Sequence, residues 1–172
     1  MKFDFHILPS GLINPLCSNI IGNGVVIHIP SFFAELDALK SNGIDPTGRL
    51  FISNRCHLVF DFHRIVDGIK EFELGRGGLG TTRKGIGPAY SSKASRSGIR
   101  MHHLFDYDEF EKRLRMVVGN RRKRYGDFEY CIEKELELYR KLAEKVKPFV
   151  IDSVPFINKQ LSLGKRVLVE GT

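Results

Sequence analysis

The chain has 172 residues and a net charge of +7, with 42% hydrophobic and 27% charged residues, a composition typical of one soluble globular domain or a piece of a larger one. No stretch approaches the roughly 18 apolar residues of a membrane span, and residues 1–11 lack the features of a secretory signal, so we expect neither. The three cysteines, Cys17, Cys56 and Cys131, are widely spaced, which argues against a disulfide framework and favours a reducing compartment, the cytoplasm.

Short apolar stretches along the chain predict β-strands. Ile20-Ile21 and residues 25–29 are rich in β-branched side chains, and glycines and Pro30 bound them. Asn23 is expected in a tight bend between the two. Further strands are predicted at residues 149–151 and 167–169. Residues 50–53 and 57–60 are predicted to form either two short strands or one strand with a break.

Helical patterns alternate with these strands. Ser31 is predicted to N-cap a first helix that ends at Gly43, and Asp61 to begin a second that ends at Gly75. The apolar stripe of the second helix comprises Phe62, Ile65, Val66, Ile69 and Phe72. Later helices are expected after Pro88, at residues 108–118 with Gly119 as the stop, and at residues 128–147, where Glu137 and Lys141 form an i,i+4 ion pair.

The alternation of strands and helices indicates an α/β fold. The last predicted strand stands immediately before the final residues, where ligand-binding loops of such sheets usually follow. We therefore expect residues 1–172 to be a single, partial domain truncated at both ends.

One segment, residues 74–105, concentrates much of the positive charge. It contains six Lys and Arg side chains and seven of the 17 glycines, but no Asp or Glu. The six cations are Arg76, Arg83, Lys84, Lys93, Arg96 and Arg100. Threonine hydroxyls, glycine amides and guanidinium groups are the donors that a phosphate needs, so we interpret this segment as a phosphate-binding loop that leads into a helix.

Two better-known phosphate motifs do not fit this segment. A Walker A motif needs Lys directly after its second glycine, whereas Gly80 is followed by Thr81 and Thr82. A GxGxxG dinucleotide motif follows a strand, whereas Gly75 follows a predicted helix.

Other interpretations of the charged and polar residues stay open. The basic segment is alternatively a flexible surface loop, and Arg121–Arg124 a solvated face or a contact to nucleic acid. His57 and His63 have no metal-ligand spacing and are expected to be structural. His102 and His103 either add to the anion site or form a solvated helix end.

Residues 80–100, GTTRKGIGPAYSSKASRSGIR, resemble a signature of adenylosuccinate synthetase. Shorter pieces agree in order: FHILPSG and IIGNGVVIH before it, HLVFDFH, and RVLVEG at the end. The resemblance covers essentially the whole chain and is to the eukaryotic branch. It implies a P-loop-NTPase-like mixed sheet flanked by helices, present only in part.

The resemblance implies a function as well. The family joins IMP and L-aspartate into adenylosuccinate with GTP and Mg²⁺, in AMP biosynthesis. By resemblance, Thr82 contacts the 5′-phosphate of IMP, with Thr81 beside it in the same loop. Arg96 reaches across a homodimer to the IMP of the other subunit, and Lys93 belongs to the same signature.

The family's GTP, Mg²⁺ and catalytic residues have no counterparts in this sequence. In the family they lie upstream of the position of Phe5-His6 or downstream of Gly171, and Thr172 stands where the family usually has Ala. We expect this chain alone to be inactive and to bind IMP weakly at most. The alternative is a non-catalytic basic module that binds nucleic acid or a synthetase subunit.

Overall fold

The computed structural model describes residues 5–74 and 82–171. In that part the strands are β1 (Asn19–Ile21), β2 (Val26–Ile27), β3 (Leu50–Ser53), β4 (His57–Leu58) and β5 (Val150–Ile151). The α-helices are α1 (Ile29–Ser41), α2 (Asp61–Leu74), α3 (Ile86–Ala94), α4 (Tyr107–Tyr125), α5 (Ile132–Val146) and α6 (Ser153–Ser162). Short 3₁₀ helices span Ser10–Ile13, Met101–Phe105 and Lys147–Phe149.

The strands pair in parallel, which confirms the α/β prediction. β3 lies between β1 and β5, and β2 pairs with β4 separately. Parallel neighbours need a crossover that returns the chain to the same end of the sheet, and α1 supplies it between β1 and β3. The antiparallel contact in the described part is an isolated bridge between His57 and Arg100.

Aromatic side chains hold the helices against β4. Phe60 and Phe62 stack with ring centroids 5.8 Å apart, and Tyr139 of α5 lies 4.7 Å from Phe60. Phe110 of α4 contacts the same group at 6.0 Å from Phe60, and all four side chains are fully buried. The Tyr139 hydroxyl donates to the Val59 carbonyl at 3.0 Å, so the buried phenol keeps a hydrogen-bond partner.

The start of α1 differs from the prediction. His28 is the N-cap residue, Pro30 occupies the first turn, and Ser31 lies inside the helix with its hydroxyl 2.6 Å from His28 Nδ1. Pro at the first turn needs no N–H partner, which explains the earlier start. The predicted end is confirmed, because Asn42 caps the helix and Gly43 follows with φ +83°.

Helices α4 and α5 have bounds other than those predicted. α4 passes through Gly119 and ends at Tyr125, where Gly126 has φ +78°. Val117 and Val118 are buried just before Gly119, and this packing outweighs the low helix propensity of one glycine. α5 begins at Ile132, and its Glu137–Lys141 ion pair is confirmed at 2.8 Å.

Two further predictions of local structure were wrong, and one helix was not predicted. Residues 167–169 form no strand and are largely exposed. Phe72 is 89% exposed rather than part of the buried stripe of α2. Helix α6 was not predicted, although Asp152 caps it by accepting from Val154 N at 3.3 Å.

Glu135 is a buried acid in the first turns of α5. It is 6% exposed, and its Oε1 has no hydrogen-bond partner among the described residues. Burial, and then the negative charge of Asp61, raise the pKa of Glu135 to about 7. Among the described helices, none is long and apolar enough to cross a membrane.

Candidate functional site: a basic cleft at the end of α3

Helix α3 begins in close contact with α2. Gly85 is its N-cap residue with φ +76°, and its N–H donates to Asp67 Oδ2 at 3.1 Å. A Cβ at this position would lie 2.8 Å from Arg64 N and 2.9 Å from His63 C. Because both are main-chain atoms of a helix, neither can move aside, and only glycine fits here.

The turn after α3 presents Arg96 in an unusual backbone conformation. The carbonyl of Ser92 accepts from Ser97 N at 2.9 Å and from Gly98 N at 3.0 Å, which closes the turn. Arg96 lies inside it with φ +58°. For a residue with a Cβ, this left-handed conformation costs about 1–2 kcal/mol. Strained residues of this kind concentrate at functional sites.

The side chain of Arg96 lines a cleft of about 360 Å³. The lining residues are His57, Lys93, Arg96, Gly98, Arg100, His102, His103 and Arg113. Four of these eight carry a fixed positive charge, three are histidines and none is acidic. This donor set suits an oxyanion such as phosphate.

Two of the histidines in the cleft are held neutral near pH 7. Burial, and then the charges of Arg100 and Lys93, lower the pKa of His57 to about 4. Burial and the neighbouring His102 lower the pKa of His103 to about 4. The Nδ1 of His103 accepts from Arg100 N at 2.9 Å, so its proton is on Nε2. The net positive charge comes from Lys93, Arg96 and Arg100, because the fourth cation, Arg113, is ion-paired with Glu109 at 2.6 Å.

The cleft is attached to loops that follow two strands of the sheet. Lys93 Nζ donates to the carbonyl of Asn23 at 3.3 Å and to that of Gly24, in the loop after β1. His102 Nδ1 contacts the Asn54 carbonyl at 3.0 Å, directly after β3. The cleft therefore lies by the carboxyl ends of parallel strands, where α/β proteins bind ligands.

The structure brings together only part of the site predicted from sequence. Lys93 and Arg96 both line the cleft. Thr82 is exposed and does not line it, and Thr81 lies outside the described residues. His57 and Arg113 were not foreseen, because each is distant in sequence from the basic segment. His102 and His103 both line the cleft, and both belong to the short 3₁₀ helix Met101–Phe105.

The predicted basic run in Arg121–Arg124 is the last turn of α4. Two of its side chains make internal contacts: Arg121 Nη2 donates to Ser92 Oγ at 2.7 Å, and Arg122 Nη2 donates to the Tyr130 carbonyl at 2.8 Å. Lys123 and Arg124 are exposed. The run is thus partly structural rather than a continuous basic stripe.

The described residues fit an anion better than a metal ion. Within residues 5–74 and 82–171, no group of three or more His, Cys, Asp or Glu side chains is arranged to hold a metal. Mg²⁺ prefers carboxylate and phosphate oxygens, and the cleft offers no carboxylate.

Comparison with known proteins identifies relatives along the whole chain. A family model described as adenylosuccinate synthetase matches residues 1–172. The chain is 67% identical over 170 residues to the adenylosuccinate synthetase of Coprinopsis cinerea and 57% identical over 171 residues to that of Schizosaccharomyces pombe. Each match covers 99% of this chain but only 40% and 39% of the respective relative.

A solved structure agrees with these matches. The structure of fully ligated adenylosuccinate synthetase from Plasmodium falciparum matches 100% of this chain and 40% of its own, with a TM-score of 0.89 and 36% sequence identity. The chain therefore spans about 40% of the length of the proteins it resembles.

Proposed function

Because this chain belongs to the adenylosuccinate synthetase family, we propose that it functions within a GTP-dependent ligase that forms adenylosuccinate from IMP and L-aspartate. This reaction belongs to AMP biosynthesis. Since the chain spans about 40% of the length of its relatives, the activity is assigned to a polypeptide of their full length.

In that enzyme, this chain supplies part of the site for the 5′-phosphate of IMP. Thr82, with Thr81 beside it, donates hydroxyl hydrogen bonds, and Arg96 donates from a guanidinium that matches a phosphate in geometry. Lys93 contributes positive charge nearby. The observation that supports this most directly is the cleft around Arg96 and Lys93, which has four fixed cations and no carboxylate.

The spacing of Thr82 and Arg96 supports a site shared between two subunits. The two residues flank opposite ends of α3, which has 9 residues and is therefore about 13 Å long. In agreement with this separation, Arg96 lines the cleft and Thr82 of the same subunit does not. In a homodimer, Thr82 of one subunit and Arg96 of the other can meet at one IMP.

GTP and Mg²⁺ complete the reaction, and we expect their ligands outside residues 1–172. When bound, they supply the phosphoryl group and the charge stabilisation that phosphoryl transfer needs. The part played by this chain is to bind and orient IMP. The 172-residue polypeptide alone is therefore expected to be inactive and to bind IMP weakly at most.

The proposal is tested in a chimera in which this chain replaces the matching segment of the Coprinopsis cinerea synthetase, its 67% identical relative. Thr82→Ala and Arg96→Ala should each raise the KM for IMP at least about ten-fold, with the KM for GTP nearly unchanged. Arg115→Ala is the matched control, because Arg115 pairs with Glu111 and Glu133 on the surface. Equal effects of all three variants on IMP would overturn the assignment.

The shared site has its own test. When the Thr82→Ala and Arg96→Ala chimeras are mixed, half of the dimers contain one subunit of each kind. Each mixed dimer then has one intact site, so at IMP concentrations well below the KM about a quarter of the unmutated activity should return. If mixing restores nothing, Arg96 acts within its own subunit or not at all.

A further inference from the structure

We propose that Arg121, acting through the hydroxyl of Ser92, is a positioning residue for Arg96. This inference rests on the proposed function, because Arg96 is taken to bind IMP. Arg121 belongs to the basic run Arg121–Arg124, and no residue of this run is part of the proposed IMP site.

The hydroxyl of Ser92 lies where three helices meet. Ser92 is 1% exposed and belongs to α3. Its Oγ accepts from Arg121 Nη2 of α4 at 2.7 Å and lies 3.3 Å from Nε2 of His63 in α2. It donates its own proton to the Pro88 carbonyl at 3.1 Å.

The protonation of His63 is consistent with this arrangement. Its Nδ1 accepts from Phe60 N at 3.0 Å, so the ring proton is on Nε2 and points to Ser92. Burial, and then the charge of Arg121, lower the pKa of His63 to about 3, which keeps the ring neutral. One proton and both lone pairs of the Ser92 hydroxyl are therefore in use, and the hydroxyl is fixed in orientation.

The same residue controls the turn that carries Arg96. The Ser92 carbonyl accepts from the main-chain N–H groups of Ser97 and Gly98, and from the hydroxyl of Ser95 at 3.2 Å. Arg96 lies within this turn at φ +58°, a conformation that the surrounding contacts must maintain. Arg121 therefore fixes the side chain of Ser92, and the main chain of Ser92 fixes the position of Arg96.

If Arg96 is displaced, the binding of IMP should weaken more than the binding of the other substrates. A general loss of stability would not show this selectivity, so the KM values distinguish the two effects. In the chimera, Ser92→Ala and Arg121→Met should raise the KM for IMP about ten-fold and leave the KM for GTP within about two-fold. Arg121→Lys keeps a cation and an N–H donor, so its KM for IMP should lie close to that of the unmutated chimera. Arg124→Ala is the control on the same helix end, since its guanidinium lies over the Tyr125 ring at 5.3 Å.

A double-mutant cycle then tests whether Arg121 acts through Arg96. If it does, Arg121→Met should change the KM for IMP by less than about two-fold in an Arg96→Ala background. Equal effects with and without Arg96 would overturn the inference, as would a fall in kcat alone with the KM for IMP unchanged.

The two proposals fail in different ways. If Arg96→Ala does not affect IMP, the proposed function of Arg96 is wrong. If Arg96→Ala weakens IMP binding but Arg121→Met does not, only the positioning role is wrong. Should Ser92→Ala fail to fold, Arg121→Met still decides, because it leaves Ser92 in place and removes only the guanidinium that donates to its hydroxyl.

Discussion

Replacing Arg96 by glycine should separate the backbone strain at this residue from the function of its side chain. At φ +58°, a residue with a Cβ pays about 1–2 kcal/mol, a penalty that glycine avoids. Glycine loses about 0.5–1 kcal/mol more than alanine in conformational entropy on folding. The Arg96→Gly chain should therefore be more stable than Arg96→Ala by about 0.5–1 kcal/mol.

Urea unfolding of the 172-residue chain measures this difference directly. Alanine is the right reference, because both variants remove the guanidinium and differ only at Cβ. In the chimera, both should raise the KM for IMP, so the more stable variant is still the impaired one. If Arg96→Gly proves equal to or less stable than Arg96→Ala, the backbone at this position is not strained and the reasoning is refuted.

Three other substitutions have outcomes that the structure determines. Gly85→Ala should lower the free energy of unfolding by about 2–4 kcal/mol because its Cβ meets the main chain of α2. Gly87→Ala, where a Cβ meets nothing within 4 Å, should be neutral or stabilise by up to about 1 kcal/mol; similar losses for both variants in urea unfolding would contradict this. Glu135→Gln should raise the free energy of unfolding at pH 8 by about 1–3 kcal/mol, and far less at pH 4.5, which unfolding at both pH values would show.

The sign of the Glu135 prediction follows from where its proton binds. The pKa of Glu135 is about 7 in the folded chain against 4.5 for an ordinary glutamate. Between these values the folded chain holds a proton that the unfolded chain lacks, so Glu135 makes stability fall as the pH rises through this window. Glutamine has no carboxylate to desolvate. Glu135→Gln should therefore raise the free energy of unfolding only at pH values above 4.5, the pKa of an ordinary glutamate. An equal benefit at both pH values would mean that packing, not charge, is responsible.

Much of the fold was predictable from local signals in the sequence. Strand β3, the end of α1 at Gly43 and the Glu137–Lys141 pair all follow from short-range patterns that the tertiary structure does not override. The limits of α4 were not predictable in this way. Gly119 is a plausible stop by propensity, but the buried residues before it and the Arg121–Ser92 contact after it favour continuation.

The site was only partly predictable for the same reason. The basic segment identified Arg96 and Lys93, because charge and composition are visible in the sequence itself. His57 and Arg113 join them only through the packing of β4 and α4, and nothing in the spacing of positions 57, 96 and 113 indicates this. Likewise, the sequence does not distinguish Ser92 from the other serines, and its proposed role depends on its burial between three helices.

A crystal structure of the chimera with bound IMP would test the central claim most directly. We expect the 5′-phosphate within hydrogen-bonding distance of the Thr82 hydroxyl of one subunit and the Arg96 guanidinium of the other. An IMP phosphate bound away from both Thr82 and Arg96 would contradict the account.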